Sequence, residues 1–504
     1  MRLGELLRDL APVLPPAAAA LEVEGLCLDS RRIAAGDLYL AIPGARFDGR
    51  EFLAEAAARG AVAALGPGPA PTEAALPFVE HGEPRRILAT LARRLYGPVD
   101  QNLKLVGITG TNGKSTTVTL TAAMLGVAGV PAASLGTLGY LFAGRSYLPE
   151  VRRTTPEAPD LYRVLAAMAE DGARAAAMEV SSHSLSIGRV DGLLFDVAAF
   201  TNLTRDHLDF HPDMESYFAA KRGLFDRLKP GGRAVVHLGD AWGRRLAAEL
   251  PGALTFGIGE GEVRSENVEL SFAGTRARVF TPRGSFDIFS PLIGRYNLEN
   301  LLTAIAVAEA IELPQDAILA AIAAMRPVSG RLEPVSAGEK HPPALVDYAH
   351  TPAALEALLR SVREIAPDRK IVLVFGCGGE RDRGKRPLMG RIAGELADMP
   401  VLTSDNPRRE DPLQILVEVE KGVKESGNEA YRMVPDRHEA ILGAVRAALR
   451  GYSQGERWVI LLAGKGHEST QDLGDRVIPF SDRAELERAL RHEMSATAAG
   501  ARNG

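Results

Sequence analysis

Cysteine is almost missing from this 504-residue chain: Cys27 and Cys377 are the only two. They cannot build a disulfide framework and have no metal-ligand spacing, which suits a reducing cytoplasm. Long apolar runs are missing too, and none reaches the length of a membrane-crossing helix. The start, Met1-Arg2-Leu3-Gly4-Glu5, lacks the apolar stretch of a secretory signal. No integral membrane segment is therefore expected, and a cytoplasmic location is. An excess of positive charge is also absent. The formal net charge is −5, which gives no electrostatic reason to expect nucleic acid as a partner. Basic residues gather only locally, as in Arg152-Arg153 and Arg381–Arg386, a distribution that suits small anionic molecules. No solenoid repeat is present. What remains is 46% hydrophobic and 24% charged, the balance of a soluble globular protein of several domains.

The pattern along the chain predicts an α/β protein of three domains, over 1–98, 99–328 and 329–504. The first mixes short strands and helices. In the second, apolar strands at Leu103–Thr109, Arg174–Met178, Asp196–Thr201 and Arg233–Leu238 alternate with helices, as in a mostly parallel sheet. Val263–Ile288 alternates like an antiparallel insertion. In the third, strands at Ala344–Val346, Lys370–Phe375, Met399–Thr403 and Trp458–Leu462 predict a Rossmann-like sheet. Polar residues recur just past the strand ends, where open α/β sheets collect their ligands. A bilobal site in a cleft is the expected arrangement, and 495–504, small and polar, is expected to fray.

The most informative segment is Gly107-Ile108-Thr109-Gly110-Thr111-Asn112-Gly113-Lys114-Ser115-Thr116. It joins an apolar strand to a helix-like run, Ser115–Gly126, the order of a nucleoside triphosphate loop. Gly107 and Gly113 are one residue further apart than usual, so the inner Gly110–Thr116 carries the reading. Its glycines let backbone N–H groups close on phosphate, Lys114 can reach the β/γ-phosphates, and Ser115 can ligate Mg²⁺. ATP is the expected ligand; a glycine turn of purely structural origin is the alternative. Glu179 follows a buried-looking strand and suits Mg²⁺ beside phosphates, or else is a loop or capping acid. Two histidines and several polar residues crowd Thr201–His211, which includes His207. Lys221, in Tyr217–Phe225, reads as an ordinary solvated helix lysine. Asn297 and Asn300, at i and i+3 of a helix start, can face one ligand or act as caps.

Together, Gly110–Thr116, Glu179–His183, Thr201–His211, Tyr217–Phe225, Gly294–Asn300, Gly330–Glu333 and Asp347–Pro352 resemble the ATP-dependent Mur ligases of peptidoglycan precursor synthesis. The resemblance runs in order over nearly the whole chain. It implies that the lysine at Lys221 is carbamylated and, with His207, supports one Mg²⁺, while Ser115 and Glu179 support another. It implies Asn297, Asn300, Arg331 and Asp347 near the nucleotide. The first segment, with Asp29-Ser30-Arg31-Arg32 and Gly36–Gly44, is similar to members that add the third stem-peptide residue, so Ser30 would meet the uridine end of the substrate. Thr154, Thr155, Ser181 and Arg189 would hold a UDP-muramoyl dipeptide.

Asp405-Asn406-Pro407-Arg408 is similar to the signature of members that add meso-diaminopimelate. The chemistry fits, because that amino acid carries a far carboxylate which a guanidinium can bind bidentately, whereas lysine offers an ammonium there. Arg386 would assist at a carboxylate, and Glu468 with the Gly464 carbonyl would receive the far ammonium. Read without the family, Asn406–Arg409 is a surface turn. The implied reaction is attack of a D-glutamate γ-carboxylate on ATP, giving an acyl phosphate that the amine then displaces. His350 and Asp347 are candidates by position for the base that deprotonates the amine. A lysine-adding sibling, a folate-type glutamate ligase and a non-catalytic ATP-gated binding protein are the rivals. The implied partners are small molecules only, and a monomer is expected.

Overall fold

Continuous apolar runs of four to six residues, bounded by glycine and polar turns, form strands buried on both faces, and they organise this fold. The computed structural model describes residues 1–10, 14–44, 47–72, 74–148, 153–336 and 341–500, with side chains to 495. Arg152 lies outside the described residues. Contacts divide the chain into two units, one of Met1–Thr109, Ala128–Ala199 and Ala219–Ala234, the other of Gly110–Val127, Phe200–Phe218 and Val235–Gly504.

The first unit begins with a parallel sheet of β1 (Gly25–Cys27), β2 (Asp37–Leu40), β3 (Ala63–Gly66) and β4 (Phe78–Glu80), in that spatial order. Ile33, Tyr39, Leu53, Ala56 and Ala64 form its core. A second sheet follows, from β5 (Lys104–Thr109), β6 (Ala132–Gly136), β7 (Gly139–Phe142), β8 (Arg145–Ser146), β9 (Ala175–Glu179) and β10 (Phe195–Phe200). Its order is β10-β5-β9-β6-β7-β8; β5, β9 and β6 run parallel and the last two are antiparallel. Ile108 pairs with Glu179, so the carboxylate ends beside the strand that leads into the glycine loop.

The first unit ends and the second resumes within β11 (Leu228–His237). In the second, β12 (Leu254–Ile258) and β13 (Val263–Ser271) continue parallel, then β14 (Gly274–Thr281) and β15 (Gly284–Ser290) return as an antiparallel meander. That is the insertion expected over 263–288. The helix Lys114–Val127 packs on the helix Arg295–Ala310.

The last sheet comprises β16 (Glu333–Pro334), β17 (Ala344–Asp347), β18 (Lys370–Phe375), β19 (Met399–Leu402), β20 (Arg432–Met433) and β21 (Trp458–Ala463), ordered β16-β17-β21-β18-β19-β20. All its pairs are parallel except β16 with β17. Alternation sorts the side chains between two cores. Ile371, Leu373, Phe375, Val459 and Leu461 face helices Pro352–Ile365, Lys385–Leu396 and Pro412–Glu425. Val372, Val374, Ile460 and Leu462 face helices Arg437–Ser453 and Asp482–Gly500. This double winding is the expected Rossmann-like arrangement. The hairpin β22 (Thr470–Asp472) and β23 (Val477–Pro479) closes the site end. The tail expected to fray from 495 is helical to Gly500; 501–504 lie outside the described residues.

Candidate active site

The glycine loop leaves β5 with Gly110 at φ +145° and Gly113 at φ +86°. A Cβ on Gly110 would stand 1.9 Å from Thr201 Oγ1, and one on Gly113 2.1 Å from Asn300 Oδ1. Both positions therefore demand glycine for space as well as for conformation. The loop is held from outside. Thr111 N–H donates to the Asn202 carbonyl at 2.8 Å, Asn112 N–H to Asn202 Oδ1 at 2.9 Å, and Thr201 Oγ1 to the Asn112 carbonyl at 2.6 Å. Thr111 Oγ1 accepts from Thr204 N–H at 3.0 Å and meets the Tyr217 hydroxyl at 3.2 Å. Lys114 Nζ donates to the Gly110 and Thr111 carbonyls at 2.9 and 2.8 Å, so its ammonium lies over the loop. Ser115 and Thr116, both buried, open the helix. Thr201, Asn202, Thr204 and Tyr217 frame the loop across some ninety intervening residues; no local signal in the sequence could have paired them with it.

Asn297 and Asn300 are buried, and Asn300 Nδ2 donates to Asn297 Oδ1 at 3.4 Å, which points Asn300 at Gly113. Arg331 NH2 donates to Ser115 Oγ at 3.2 Å, and its guanidinium lies 4.7 Å above the Tyr348 ring. Asp347 ends β17. It accepts from Tyr296 OH at 2.8 Å, Leu332 N–H at 2.7 Å and Ala349 N–H at 2.8 Å, while burial raises its carboxyl. With its oxygens so engaged, Asp347 anchors the Tyr296 hydroxyl and the backbone at Leu332 and Ala349. His350 Nδ1 bonds the Tyr348 carbonyl at 2.8 Å, and burial lowers its pKa, with the Lys385 charge assisting. His207 takes the left-handed region, φ +54°, with Nε2 3.4 Å from Asp206 Oδ2. Burial would raise Asp206, but His207, His350 and Lys385 together pull it below the usual carboxylate range. Asp206 and Lys385 were passed over in the sequence reading.

In the first unit, Glu179 is buried and accepts from Thr137 N–H at 2.8 Å. Lys221 ends the helix Met214–Arg222 with only 1% exposure, so the expectation of a solvated lysine is wrong. Ser115 hydroxyl and the Glu179 carboxylate are hard oxygen donors of the kind Mg²⁺ takes. Among the described residues no group of three or more His, Cys, Asp or Glu gathers for a metal.

The first unit also holds a cavity of about 940 Å³, lined by Ser30, Arg31, Arg85, Tyr140, Arg153 and Glu157 among others. Ser30 Oγ donates to Glu55 Oε2 at 2.7 Å. Three arginines converge on the one carboxylate of Glu157: Arg189 at 3.1 Å, Arg85 at 3.4 Å, and Arg153. Burial and the Arg85 charge bring Arg189 down to about 10. The three guanidinium groups against one carboxylate leave this wall with a surplus of positive charge, of the kind that suits an anion. Arg189 NH1 also fixes the Thr155 carbonyl at 3.0 Å, Thr155 Oγ1 donates to the Glu179 carbonyl at 2.8 Å, and Thr154 Oγ1 lies 3.3 Å from Thr137 Oγ1. Ser181 Oγ caps the helix Ser182–Ser186. Arg85 was missed because nothing in its own segment marks it.

At the strand ends of the last sheet, Asn406 Nδ2 donates to Glu468 Oε2 at 2.8 Å. Lys465, wholly buried, places Nζ 2.9 Å from Glu468 Oε2, 3.2 Å from Asn406 Oδ1 and 3.9 Å from Asp405 Oδ1. Burial raises Asp405 despite the Arg437 and Lys465 charges. Gly464, at φ +112°, approaches Asp405 Oδ2, and its N–H donates to the Asp347 carbonyl at 3.2 Å. Pro407 precedes Arg408, whose backbone sits at φ +53° and whose NH1 donates to the Gly379 carbonyl at 2.6 Å. Arg386 departs from expectation: none of it is exposed, and it is bound to Glu410 and Glu418. Its guanidinium is spent on these two acids rather than presented at the surface. Arg381 and Arg383 are exposed instead, and Arg381 shares the surroundings of Gly378 with Arg408. Cys377 packs against Met389 and is pushed up to about 12 by burial, which leaves it an inert thiol.

The chain matches the Mur ligase family catalytic domain over 22–96, the Mur ligase middle domain over 108–308 and the Mur ligase glutamate ligase domain over 330–466. It is 44% identical over 499 residues to a Solibacter usitatus protein, covering 97% of this chain and 98% of that one, and 42% identical over 522 residues to one from Geobacter metallireducens, covering 99% and 100%. Both carry the name UDP-N-acetylmuramoyl-L-alanyl-D-glutamate--2,6-diaminopimelate ligase. A solved structure of a ligase of that name superposes with a TM-score of 0.65 at 30% identity, covering 98% of this chain and all of that one. A MurF ligase from Thermotoga maritima, solved with ADP, shares the fold at 18% identity and a TM-score of 0.68, covering 94% and 99%. Three Mur ligase domains matched in order along the chain, and relatives above 40% identity over nearly its whole length, show that this chain belongs to the Mur ligases.

Proposed function

We propose that this chain is an ATP-dependent, ADP-forming ligase that adds meso-diaminopimelate to UDP-N-acetylmuramoyl-L-alanyl-D-glutamate in cytoplasmic peptidoglycan precursor synthesis. The observation that carries the choice of amino acid is the Arg408 guanidinium, held by the Gly379 carbonyl beside an exposed Arg381. Two neighbouring guanidinium groups suit a carboxylate at the far end of the incoming amino acid and repel the ammonium that lysine would bring. Glu468, backed by Lys465 and Asn406, suits the far amino group.

In this reading the arginine wall at Glu157, with Thr154, Thr155, Ser181 and Ser30, takes the UDP-muramoyl dipeptide. Gly110–Thr116 takes the ATP phosphates, with Asn297, Asn300 and Arg331 around the nucleotide. Mg²⁺, held by Ser115 and Glu179 and by His207 with carbamylated Lys221, would neutralise the phosphate charge. Lys114 supplies a fixed cation where charge gathers as the dipeptide γ-carboxylate attacks the γ-phosphate. The acyl phosphate makes phosphate the leaving group when the diaminopimelate amine attacks. Functionally, 1–98 serves the UDP end, 99–328 the ATPase chemistry and 329–504 the amino acid. No helix among the described residues is long and apolar enough to cross a membrane. A monomer acting only on small molecules completes the proposal.

The test is to incubate the protein with ATP, Mg²⁺ and the muramoyl dipeptide, adding meso-diaminopimelate or L-lysine in parallel, and to weigh the products by mass spectrometry. Tripeptide with diaminopimelate alone is expected. Product with lysine would overturn the reading of Arg408, and no product with either would overturn the ligase assignment.

A further inference from the structure

Arg386 is a fully buried cation beside the strand-end loops of the last sheet, and the proposed chemistry leaves it without a part. It lies in the first turn of the helix Lys385–Leu396, fully enclosed. NH1 donates to Glu410 Oε2 at 3.0 Å and to Glu418 Oε2 at 2.8 Å. NH2 donates to Glu410 Oε1 at 3.1 Å and to the Gly378 carbonyl at 3.2 Å. One guanidinium thus joins the helix Pro412–Glu425, the segment preceding it and the turn at Gly378.

That turn is the seat of Arg408. Gly379 N–H donates to the Asn406 carbonyl at 2.9 Å, and the Gly379 carbonyl accepts Arg408 NH1 at 2.6 Å. Glu380 N–H donates to Glu410 Oε1, the same oxygen that accepts from Arg386 NH2. A Cβ on Gly379 would stand 1.9 Å from the Pro407 carbonyl, so turn and signature segment are packed backbone to backbone. The charges balance as well. Arg383 adds a second cation, 3.2 Å from Glu410 and 3.6 Å from Glu418. Two acids are met by two arginines, which leaves Arg408 and Arg381 uncommitted to either acid. Without Arg386, Glu410 and Glu418 would carry unbalanced negative charge beside a site meant for a carboxylate.

We propose that Arg386 is a positioning residue that sets selectivity for an amino acid with a far carboxylate: by clamping Glu410, Glu418 and the Gly378 carbonyl it fixes the turn that aims Arg408. This rests on the reading of Arg408 given above. A lysine in its place would keep the charge but could not fork between two carboxylates and a carbonyl.

The experiment is steady-state kinetics on the full chain and its R386K and E418Q variants, with meso-diaminopimelate and L-lysine each varied at saturating ATP and dipeptide. For R386K we expect KM for diaminopimelate to rise about tenfold or more, with kcat and the KM values for ATP and dipeptide within about twofold. The ratio of kcat/KM for diaminopimelate over lysine should fall by a similar factor. E418Q, which removes one partner without touching the buried arginine, should move the same ratio in the same direction by less, and keeps the test open if R386K does not fold. An unchanged ratio in the folded variants, or an equal fall in kcat for all substrates, would overturn the positioning role. Failure of the unaltered chain to ligate diaminopimelate would instead overturn the function on which it rests.

Discussion

Gly113 shows how much chemistry a single residue can settle. Its φ of +86° and the 2.1 Å approach of a would-be Cβ to Asn300 Oδ1 leave no room for a side chain. Gly113→Ala should strain the loop by about 1–3 kcal/mol and push Asn300 aside. We expect ADP formation to fall at least about tenfold, the rate equivalent of 1.4 kcal/mol, with the melting temperature lowered by only a few degrees. A phosphate-release assay paired with a thermal melt would check both. The need for glycine here was legible, because the spacing with Lys114 and Ser115 names the chemistry. The neighbour that enforces it was not, since Asn300 lies far along the chain. At Lys221 local reasoning gave the wrong answer: a lysine late in a polar helix reads as solvated, and tertiary packing buries it. At Arg386 the resemblance implied a contact with a ligand carboxylate, and packing instead joins it to Glu410 and Glu418.

At the scale of elements, Glu410 ties the turn Gly378–Glu380 to the segment just before the helix Pro412–Glu425. Arg386 beside it, assisted by the Glu380 N–H, holds the Glu410 carboxyl down to about 2. A carboxyl depressed in the folded state adds stability above its unfolded pKa and loses it as pH falls through the folded value. The contribution should thus be full at neutral pH and fade between about pH 5 and pH 2. Glu410→Gln should lower the denaturation midpoint at pH 7, and the gap from the unaltered chain should close on acidification. A gap that stays constant with pH would mean that the charge on Glu410 is not what holds the turn. Most of the strands expected in the second and third parts were legible to within a residue or two, because each is a short apolar run; β11 begins five residues earlier than expected, at Leu228 in a polar stretch. Glu179 proved to be the last residue of β9 rather than the first beyond it, one such shift.

For the whole molecule, ligands that bind only the folded chain should raise its melting temperature, by about 2.7 kcal/mol of stability at a hundred times Kd. A non-hydrolysable ATP analogue with Mg²⁺ and the muramoyl dipeptide should each do so alone. Gly113→Ala should abolish the first shift and keep the second, and differential scanning fluorimetry would read both. Loss of both shifts in that variant would argue that the arginine-walled cavity is not a separate receptor. The sequence by itself determined the α/β class, the strand segments, the triphosphate loop and the kinship, because apolar period and glycine spacing are local properties. Only the tertiary structure decided which cations stay exposed and which are spent inside. It joined Arg85, Arg153 and Arg189 on Glu157, sent Arg386 into the interior with Glu410 and Glu418, and left Arg381 exposed beside Arg408. The physical reason is that a charge's role depends on the partners folding brings within about 4 Å of it, and those partners come from distant segments of the chain.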